Sequence, residues 1–523
     1  MTKPRYALTT PIYYVNDKPH IGHAYTTLAC DVLARFKRLD GFAVHFLTGT
    51  DEHGQKVQQS AAKRGMDPSD FVDALSQSFR DLAKAMGSSH DDFIRTSEPR
   101  HYAACQALWQ RLVERDAIYL GSYSGWYAVR DEAFYAESET KVDESGQRVA
   151  PSGAPVEWLE EESYFFRLSA YQDRLLALYE AQPDFILPRS RRNEVISFVK
   201  SGLQDLSISR TSFDWGIAVP GDPAHVIYVW IDALTNYITA LGYPDEEAEL
   251  FQRFWPANLH VVGKDILRFH AVYWPAILMA AELPLPGRIF AHGWWTNEGQ
   301  KISKSLGNVI DPYAIIDRFG LDQTRYFLLR EVPFGSDGDF AQAALITRMN
   351  ADLANACGNL AQRVLAFIYR HYQAEIPALP TAKEAVAQEL QAQADALLDE
   401  VRELLDQQAF SRALERIWAL IAAANAAIDR EAPWQLQKHD PARAAAVLAR
   451  LVNVIRQFSL LLQPFMPTSA GKLLDALGVP DSARDFTAYH QALPGGTSIP
   501  KPEPLFARYQ PAAASGDSDD AAG

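Results

Sequence analysis

Hydrophobic and polar positions divide the chain into stretches of different period. Tyr6 to Tyr14 reads as a strand running into a loop. Ile21, Tyr25, Leu28, Val32, Phe36 and Leu39 then recur at helical spacing, and Gly41 fits the residue just past the helix end. Residues 43–48 form an apolar run that reads as a buried strand, ending in Gly49-Thr-Asp-Glu-His-Gly54. Strand, helix and strand in this order make a βαβ unit, whose ligands bind beyond the carboxyl ends of the strands. His20-Ile-Gly-His23 and Asp51 both fall at that edge. Further apolar runs at 226–230, 259–262 and 288–291 are expected to complete a parallel sheet. Residues 118–220, rich in Tyr, Trp, Glu and Pro, read as an insertion. From about Ala341 leucine and alanine dominate at helical spacing, with breaks near Pro377–Pro380, Pro433 and Pro464–Pro467, which predicts a helical bundle. The tail from Pro511 is small and polar and reads as disordered.

Composition narrows the picture less than the pattern does. A chain of 523 residues suggests about three or four domains. No run of 18 apolar residues and no signal peptide are seen, so the expectation is a cytoplasmic protein with no membrane partner. The three cysteines, Cys30, Cys105 and Cys357, form no CxxC, which argues against a disulfide framework and a zinc knuckle. A formal net charge of −15 does not suggest a nucleic-acid binder, but the field near a binding face matters more than the total. Arg189, Arg191, Arg192, Lys200 and Arg210 do cluster in one short stretch. Charge therefore leaves nucleic-acid binding open.

Two short motifs carry the chemistry. A helix start at His20–His23 offers unpaired N–H groups and a positive dipole end, both suited to phosphate, and Gly22 lets the backbone come close. Far downstream, Lys301-Ile-Ser-Lys-Ser305 offers two ammonium groups that could neutralise a leaving pyrophosphate. Each motif alone is weak; in this order within an α/β frame they resemble the HIGH and KMSKS signatures of class I aminoacyl-tRNA synthetases. The wider context resembles the methionyl-tRNA synthetase family. It includes residues 10–25, Phe46–Gly54, Tyr228-Val-Trp-Ile-Asp-Ala233, Val262-Gly-Lys-Asp-Ile266, Phe269-His270 and Ala291-His-Gly293. Arg191–Val195, Asp205–Arg210, Asn359–Arg363 and Glu431-Ala-Pro-Trp434 match as well, so the resemblance spans roughly residues 5 to 470.

The resemblance implies an α/β, Rossmann-like doubly wound sheet with an inserted connective domain, followed by an all-α anticodon-binding domain. The corresponding segments are 1–117 and 221–300 for the two halves of the catalytic domain and 118–220 for the insertion. The loop and stem-contact region is 301–340, the anticodon-binding bundle 341–505 and the tail 506–523. It further implies a methionine pocket of Ile12, Tyr14, Trp230, Ala233, Leu234, Tyr237, Ile266 and His270, with Asp51 holding the ammonium group. A Tyr hydroxyl or His nitrogen is expected to reach the thioether sulfur, a weak acceptor. ATP falls to His20, Gly22, His23, Gly263, Asp265, Lys301, Ser303 and Lys304, with the backbone near Trp295 at the adenine edge. His20, His23, Lys301 and Lys304 are implied as electrostatic stabilisers of the reaction. Asn359, Arg363 and Trp434 are implied to read the anticodon of tRNA(Met). The implied activity is a methionine–tRNA ligase using Mg²⁺·ATP.

Several features depart from the family pattern. Many members carry cysteine zinc knuckles in the insertion, whereas residues 118–220 here hold no cysteine, so no structural zinc is expected. The insertion looks too short for a hydrolytic editing domain. The chain stops soon after the bundle without an appended dimerisation domain, which suggests a monomer. Alternatives are another class I synthetase, a catalytically silent RNA-binding paralogue and a small nucleotidyltransferase. The last would leave the helical half unexplained.

Overall fold

The computed structural model describes residues 3–131, 133–297, 299–301, 309–379 and 385–510; the side chains of Tyr123, Glu160, Glu161, Gln300, Lys301 and 385–388 fall outside that description. The chain forms two compact units, Met1–Leu321 with Val332–Gly338, and Asp322–Glu331 with Asp339–Gly523.

The first unit is built on a seven-stranded sheet. Its strands are β1 (Arg5–Thr9), β2 (Tyr13–Tyr14), β3 (Ala43–Asp51), β4 (Asp92–Arg95), β5 (Ile186–Leu187), β6 (Leu259–Gly263) and β7 (Ile289–His292), ordered β5-β7-β6-β1-β3-β2 with β4 also on β3. Every pairing is parallel. Leu47 pairs with both Thr9 and Asp92, and Thr50 with both Tyr13 and Arg95. β1 and β2 are thus one interrupted strand along one edge of β3, with β4 on the other. Pro11 sits at the interruption, where it has no ladder hydrogen to donate. The break frees Ile12 from the ladder beside the carboxyl end of β3.

Helix α1 (Ile21–Leu39) covers the sheet with Ile21, Tyr25, Leu28, Val32 and Phe36 buried, as its periodicity indicates. It ends at Asp40, and Gly41 takes φ +85°, the left-handed region that favours glycine. The apolar run at 226–230 does not join the parallel sheet. A strand of Asp222–Ile227 pairs antiparallel with Ser209–Arg210 and Ala218–Val219, and the chain then turns into a helix at Val229–Thr239. That helix is buried nearly all round, and a short apolar run cannot distinguish a buried strand from a buried helix. β4 and β5 were not legible in the sequence. The two residues of β5 bring the chain back to the main sheet from within the stretch read as insertion.

The insertion centres on an antiparallel sheet of Leu206–Ser207, Glu157–Phe166, Ile118–Ala128 and Ala133–Tyr135. Its distal loop is closed without thiolates. Ala128, Ala150, Ala154 and Val156 form a small core, with Trp126 and Tyr135 packed against it. Asp131 accepts from the Tyr135 hydroxyl at 3.0 Å and from the Ser152 hydroxyl. Asp143 folds a turn by accepting from Ser145 N at 2.9 Å and Gln147 N at 3.0 Å.

The second unit is helical. A π-helical stretch, Met349–Gly358, leads into Asn359–His371; Ala385–Asp406, Phe410–Glu431, Pro433–His439, Pro441–Leu462 and Pro467–Ala476 follow. Pro441–Leu462 is long and apolar enough to cross a membrane, with mean hydropathy 1.5, yet 89% of its apolar window is buried. It is the core helix of the bundle. Arg325, also buried, donates to the carbonyls of Phe465 at 2.9 Å and Pro464 at 2.8 Å.

Candidate active site

A cavity of about 440 Å³ opens at the carboxyl ends of the strands. Tyr14 closes β2, Asp51 closes β3, Gly263 closes β6 and His292 closes β7, and all four line it. It also takes Ile12 from the strand break, His20, Gly22 and His23 from the start of α1, and Trp230, Ala233, Leu234 and Tyr237 from the Val229–Thr239 helix. Asp265, Ile266 and His270 complete it from the segment after β6. All nine residues that the resemblance implied for binding the amino acid line this cavity, with five of the nine implied for ATP. Ser303 and Lys304 lie outside the described residues, as does the Lys301 side chain.

The two histidines cap α1 reciprocally. His20 Nδ1 accepts from Gly22 N at 3.1 Å, and His23 Nδ1 accepts from His20 N at 3.1 Å. A nitrogen that accepts carries no hydrogen, so each neutral ring holds its proton on Nε2. The rings lie 4.0 Å apart. Gly22 has a role the sequence did not reveal: a Cβ there would sit 2.9 Å from His20 Cε1. Its lack of a side chain makes room for the capping imidazole.

On the opposite wall, His270 Nδ1 donates to the Ile266 carbonyl at 2.9 Å, because a carbonyl can only accept. His270 Nε2 therefore accepts from the Tyr237 hydroxyl at 2.7 Å. Burial lowers His270 to about 4 and pushes the Tyr237 phenol well above its usual range. Both groups are neutral near pH 7, and both hydrogens are committed to protein acceptors. Neither is left to donate to a thioether sulfur without rearrangement. Tyr237 and His270 thus present a neutral, polarizable wall to the cavity, and Tyr14 also lines it. Trp230 stacks on Phe269 at 3.6 Å and 5° and meets His270 edge-on at 6.2 Å. Phe269 and His270 lie on a π-helical turn, Phe269–Tyr273, a local widening often found where a helix builds a site.

Asp51 is 8% exposed, and its carbonyl accepts from Val15 N at 3.1 Å. Asp265 is exposed and accepts from the Trp294 indole at 3.2 Å. Trp294, not Trp295, lines the cavity. The Trp295 side chain is 5% exposed and packs edge-on against Tyr25 at 5.5 Å, since successive residues near a strand face opposite sides. Sequence reading also missed Thr26, Lys56, Arg130 and Asp131 of the lining. Arg130 and Asp131 come from the insertion, and no periodic signal links them to the sheet. The basic cluster does not form one surface: Arg189 and Lys200 are exposed, whereas Arg210 is 3% exposed and donates to the Ser209 carbonyl at 2.7 Å.

All three cysteines are buried and free. Among the described residues one metal-like group occurs, His101, Cys105 and Asp232, with donor atoms within 4.8 Å. Burial holds the Cys105 thiol well above its usual range. Both Asp232 oxygens already accept from imidazoles. Three donors are one short of the four that close a structural zinc site.

In the helical unit, Asn359 begins the Asn359–His371 helix and is exposed. Arg363, one turn on, lies 5.0 Å from the Trp434 ring and donates to Asp429 at 2.6 Å. Trp434 is 37% exposed. It follows Ala432, which joins two helices at φ +41°, a strained conformation for a residue with a Cβ. The structure brings Arg363 and Trp434 together.

Comparison with known proteins matches residues 6–365 to the class I tRNA synthetases (M), and residues 376–516 to the anticodon binding domain of methionyl tRNA ligase. A methionine–tRNA ligase of Brucella suis is 56% identical over 510 residues, covering 97% of this chain and 99% of the relative. One of Rickettsia felis is 57% identical over 512 residues, with the same coverage. A solved Mycobacterium tuberculosis methionyl-tRNA synthetase in complex with methionyl-adenylate superposes with TM-score 0.94 at 52% identity, over 97% of this chain and 100% of that one.

Proposed function

The chain belongs to the methionine–tRNA ligases of the class I tRNA synthetases, and from that premise we propose how its residues divide the reaction. The enzyme activates L-methionine with ATP to methionyl-adenylate, releasing pyrophosphate, and then transfers methionine to the 3′ end of tRNA(Met). Asp51 binds the methionine ammonium through charge-assisted hydrogen bonds. The thioether lies among Ile12, Tyr14, Trp230, Ala233, Leu234, Tyr237, Ile266 and His270, where an unbranched, polarizable chain packs well against aromatic edges. Shape separates side chains differing by a methylene by only about 1–3 kcal/mol. The rigid Tyr237–His270 pair and the Trp230–Phe269 stack hold that shape.

The methionine carboxylate attacks the α-phosphorus of Mg²⁺·ATP in line. A carboxylate O–P bond forms, and the bond to the β-phosphate oxygen breaks. The Nε2–H groups of His20 and His23 donate to the phosphates as charge builds on the leaving group. The α1 dipole adds to them, and Lys301, Ser303 and Lys304 stabilise the charge of the pyrophosphate. Gly263 and Asp265 receive the ribose, and the backbone near Trp295 the adenine. The protein supplies positioning and charge rather than a covalent group. The terminal ribose hydroxyl of the tRNA then attacks the activated carbonyl, and AMP leaves. Asn359, Arg363 and Trp434 read the anticodon by base-edge hydrogen bonds and stacking.

The same reading has the enzyme acting as a cytoplasmic monomer, free of zinc and membrane, which sedimentation, cell fractionation and metal analysis test. The observation that carries the site is the convergence of Asp51, the capped histidines and the Trp230–Tyr237 wall on one cavity. Methionine-dependent ATP–pyrophosphate exchange, followed by charging of a CAU-anticodon tRNA, tests it. Exchange that depends on another amino acid would overturn it.

A further inference from the structure

A second constellation lies behind the cavity and does not line it. Asp232 is fully buried in the first turn of the Val229–Thr239 helix. His53 Nδ1 lies 2.7 Å from its Oδ2, and His101 Nε2 lies 2.7 Å from its Oδ1. A carboxylate accepts, so both imidazoles donate. Tyr102 Oη is 2.9 Å from His53 Nε2, and Thr239 Oγ1 is 3.1 Å from His101 Nδ1. His53 and His101 are 1% and 0% exposed. Burial opposes ionisation of Asp232, and the two histidines overcome it, taking the carboxyl to about 2.

The placement of these groups is what matters. His53 stands two residues past Asp51, at the end of β3. Asp232 stands between Trp230 and Ala233, with Leu234 and Tyr237 on the same helix, and all four line the cavity. His101 belongs to the Pro99–Glu114 helix, which packs against the Val229–Thr239 helix. The neighbouring Glu52 is fully buried and receives Arg95 through two bonds, at 2.7 and 2.9 Å, while its carbonyl accepts from the Trp215 indole at 2.6 Å. The backbone just past Asp51 is therefore fixed at two successive residues, Glu52 and His53.

We propose that Asp232, held by His53 and His101, is a positioning unit that fixes the distance between the ammonium-binding carboxylate of Asp51 and the side-chain pocket on the Val229–Thr239 helix. Such a unit sets where the amino acid's ammonium and thioether are held relative to each other, and touches neither. It rests on the reading of this cavity as the methionine pocket. It also explains why an aspartate interrupts an otherwise apolar run, and why two distant histidines are spent on it.

Kinetics of the full chain test the proposal. In Asp232→Asn one carboxamide face donates where an imidazole also donates, so one contact breaks. The KM for methionine in pyrophosphate exchange should rise roughly ten- to hundredfold, with the KM for ATP within about twofold. His53→Gln should raise it likewise, and the double variant should be no worse than the poorer single, because the two act through one contact. Additive losses, or equal rises in both KM values, overturn the proposal. If Asp232→Asn does not fold, an unchanged methionine KM in folded His53→Gln does so as well. Trp230→Ala serves as the separate check on the pocket. Unchanged methionine KM there overturns the pocket reading; a raised one there with no change in Asp232→Asn overturns only the positioning unit.

Discussion

At the scale of residues, the site depends on which nitrogen holds a proton and which atom has room. Gly22→Ala would drive a methyl into the His20 ring, and an overpacked contact costs about 1–3 kcal/mol. Pyrophosphate exchange in that variant should fall roughly ten- to hundredfold with little change in methionine affinity, measured by steady-state kinetics. Lys304→Gln should also slow adenylate formation strongly and leave methionine affinity near normal; undiminished exchange would remove Lys304 from the reaction. Protonation sets a further expectation. His270 drops from the ordinary 6.5 to about 4 in the folded chain, so the unfolded chain binds more protons between those values. Stability should therefore fall as pH falls from about 6.5 to about 4, by on the order of 3 kcal/mol from this residue. His260 and His292, lowered by burial, add in the same direction. Asp232 has its folded value near 2, below the usual carboxyl range, so its share persists to lower pH and fades between about 4 and 2. Denaturant titrations of the wild type and His270→Gln at pH 7 and 4.5 would show a reduced pH slope in the variant.

At the scale of elements, the legible parts were those whose period is their own. α1 could be read from its apolar stripe and Gly41, and β3 from its run and the turn after it. The Val229–Thr239 helix could not, because it is buried on almost every side and so has no polar face to set a period. β4 and β5, of four and two residues, are too short to carry one. The insertion makes the opposite point. Its lack of cysteine was plain, but the hydrogen bonds around Asp131 and Asp143 that close its loop were not. Purified protein should hold substoichiometric zinc, and 1,10-phenanthroline should leave its melting temperature unchanged. Stoichiometric zinc with a lowered melting temperature on chelation would place a metal where no thiolate is available.

At the scale of the molecule, the chain divides the work between two compact units, and the division is testable. Trp434 stands exposed beside Arg363 in the helical unit. Stacking on a base contributes about 1–3 kcal/mol, so Trp434→Ala should lower kcat/KM for tRNA charging roughly five- to hundredfold while pyrophosphate exchange holds. Equal loss of both activities would assign Trp434 to folding instead. The net charge of −15 misdirects here, as it sums over surfaces that no RNA need approach. By itself the sequence determined the opening strand, helix and strand, the helical second half and the two phosphate motifs, because these depend on local period and residue type, and the family those motifs resemble supplied the pocket side chains. Only the tertiary structure decided that Trp294 rather than Trp295 lines the cavity, that the hydrogens of Tyr237 and His270 are already committed, and that Asp232 meets His53 and His101. Those facts depend on which atoms distant segments bring within about 3 Å of one another, and no local pattern records that.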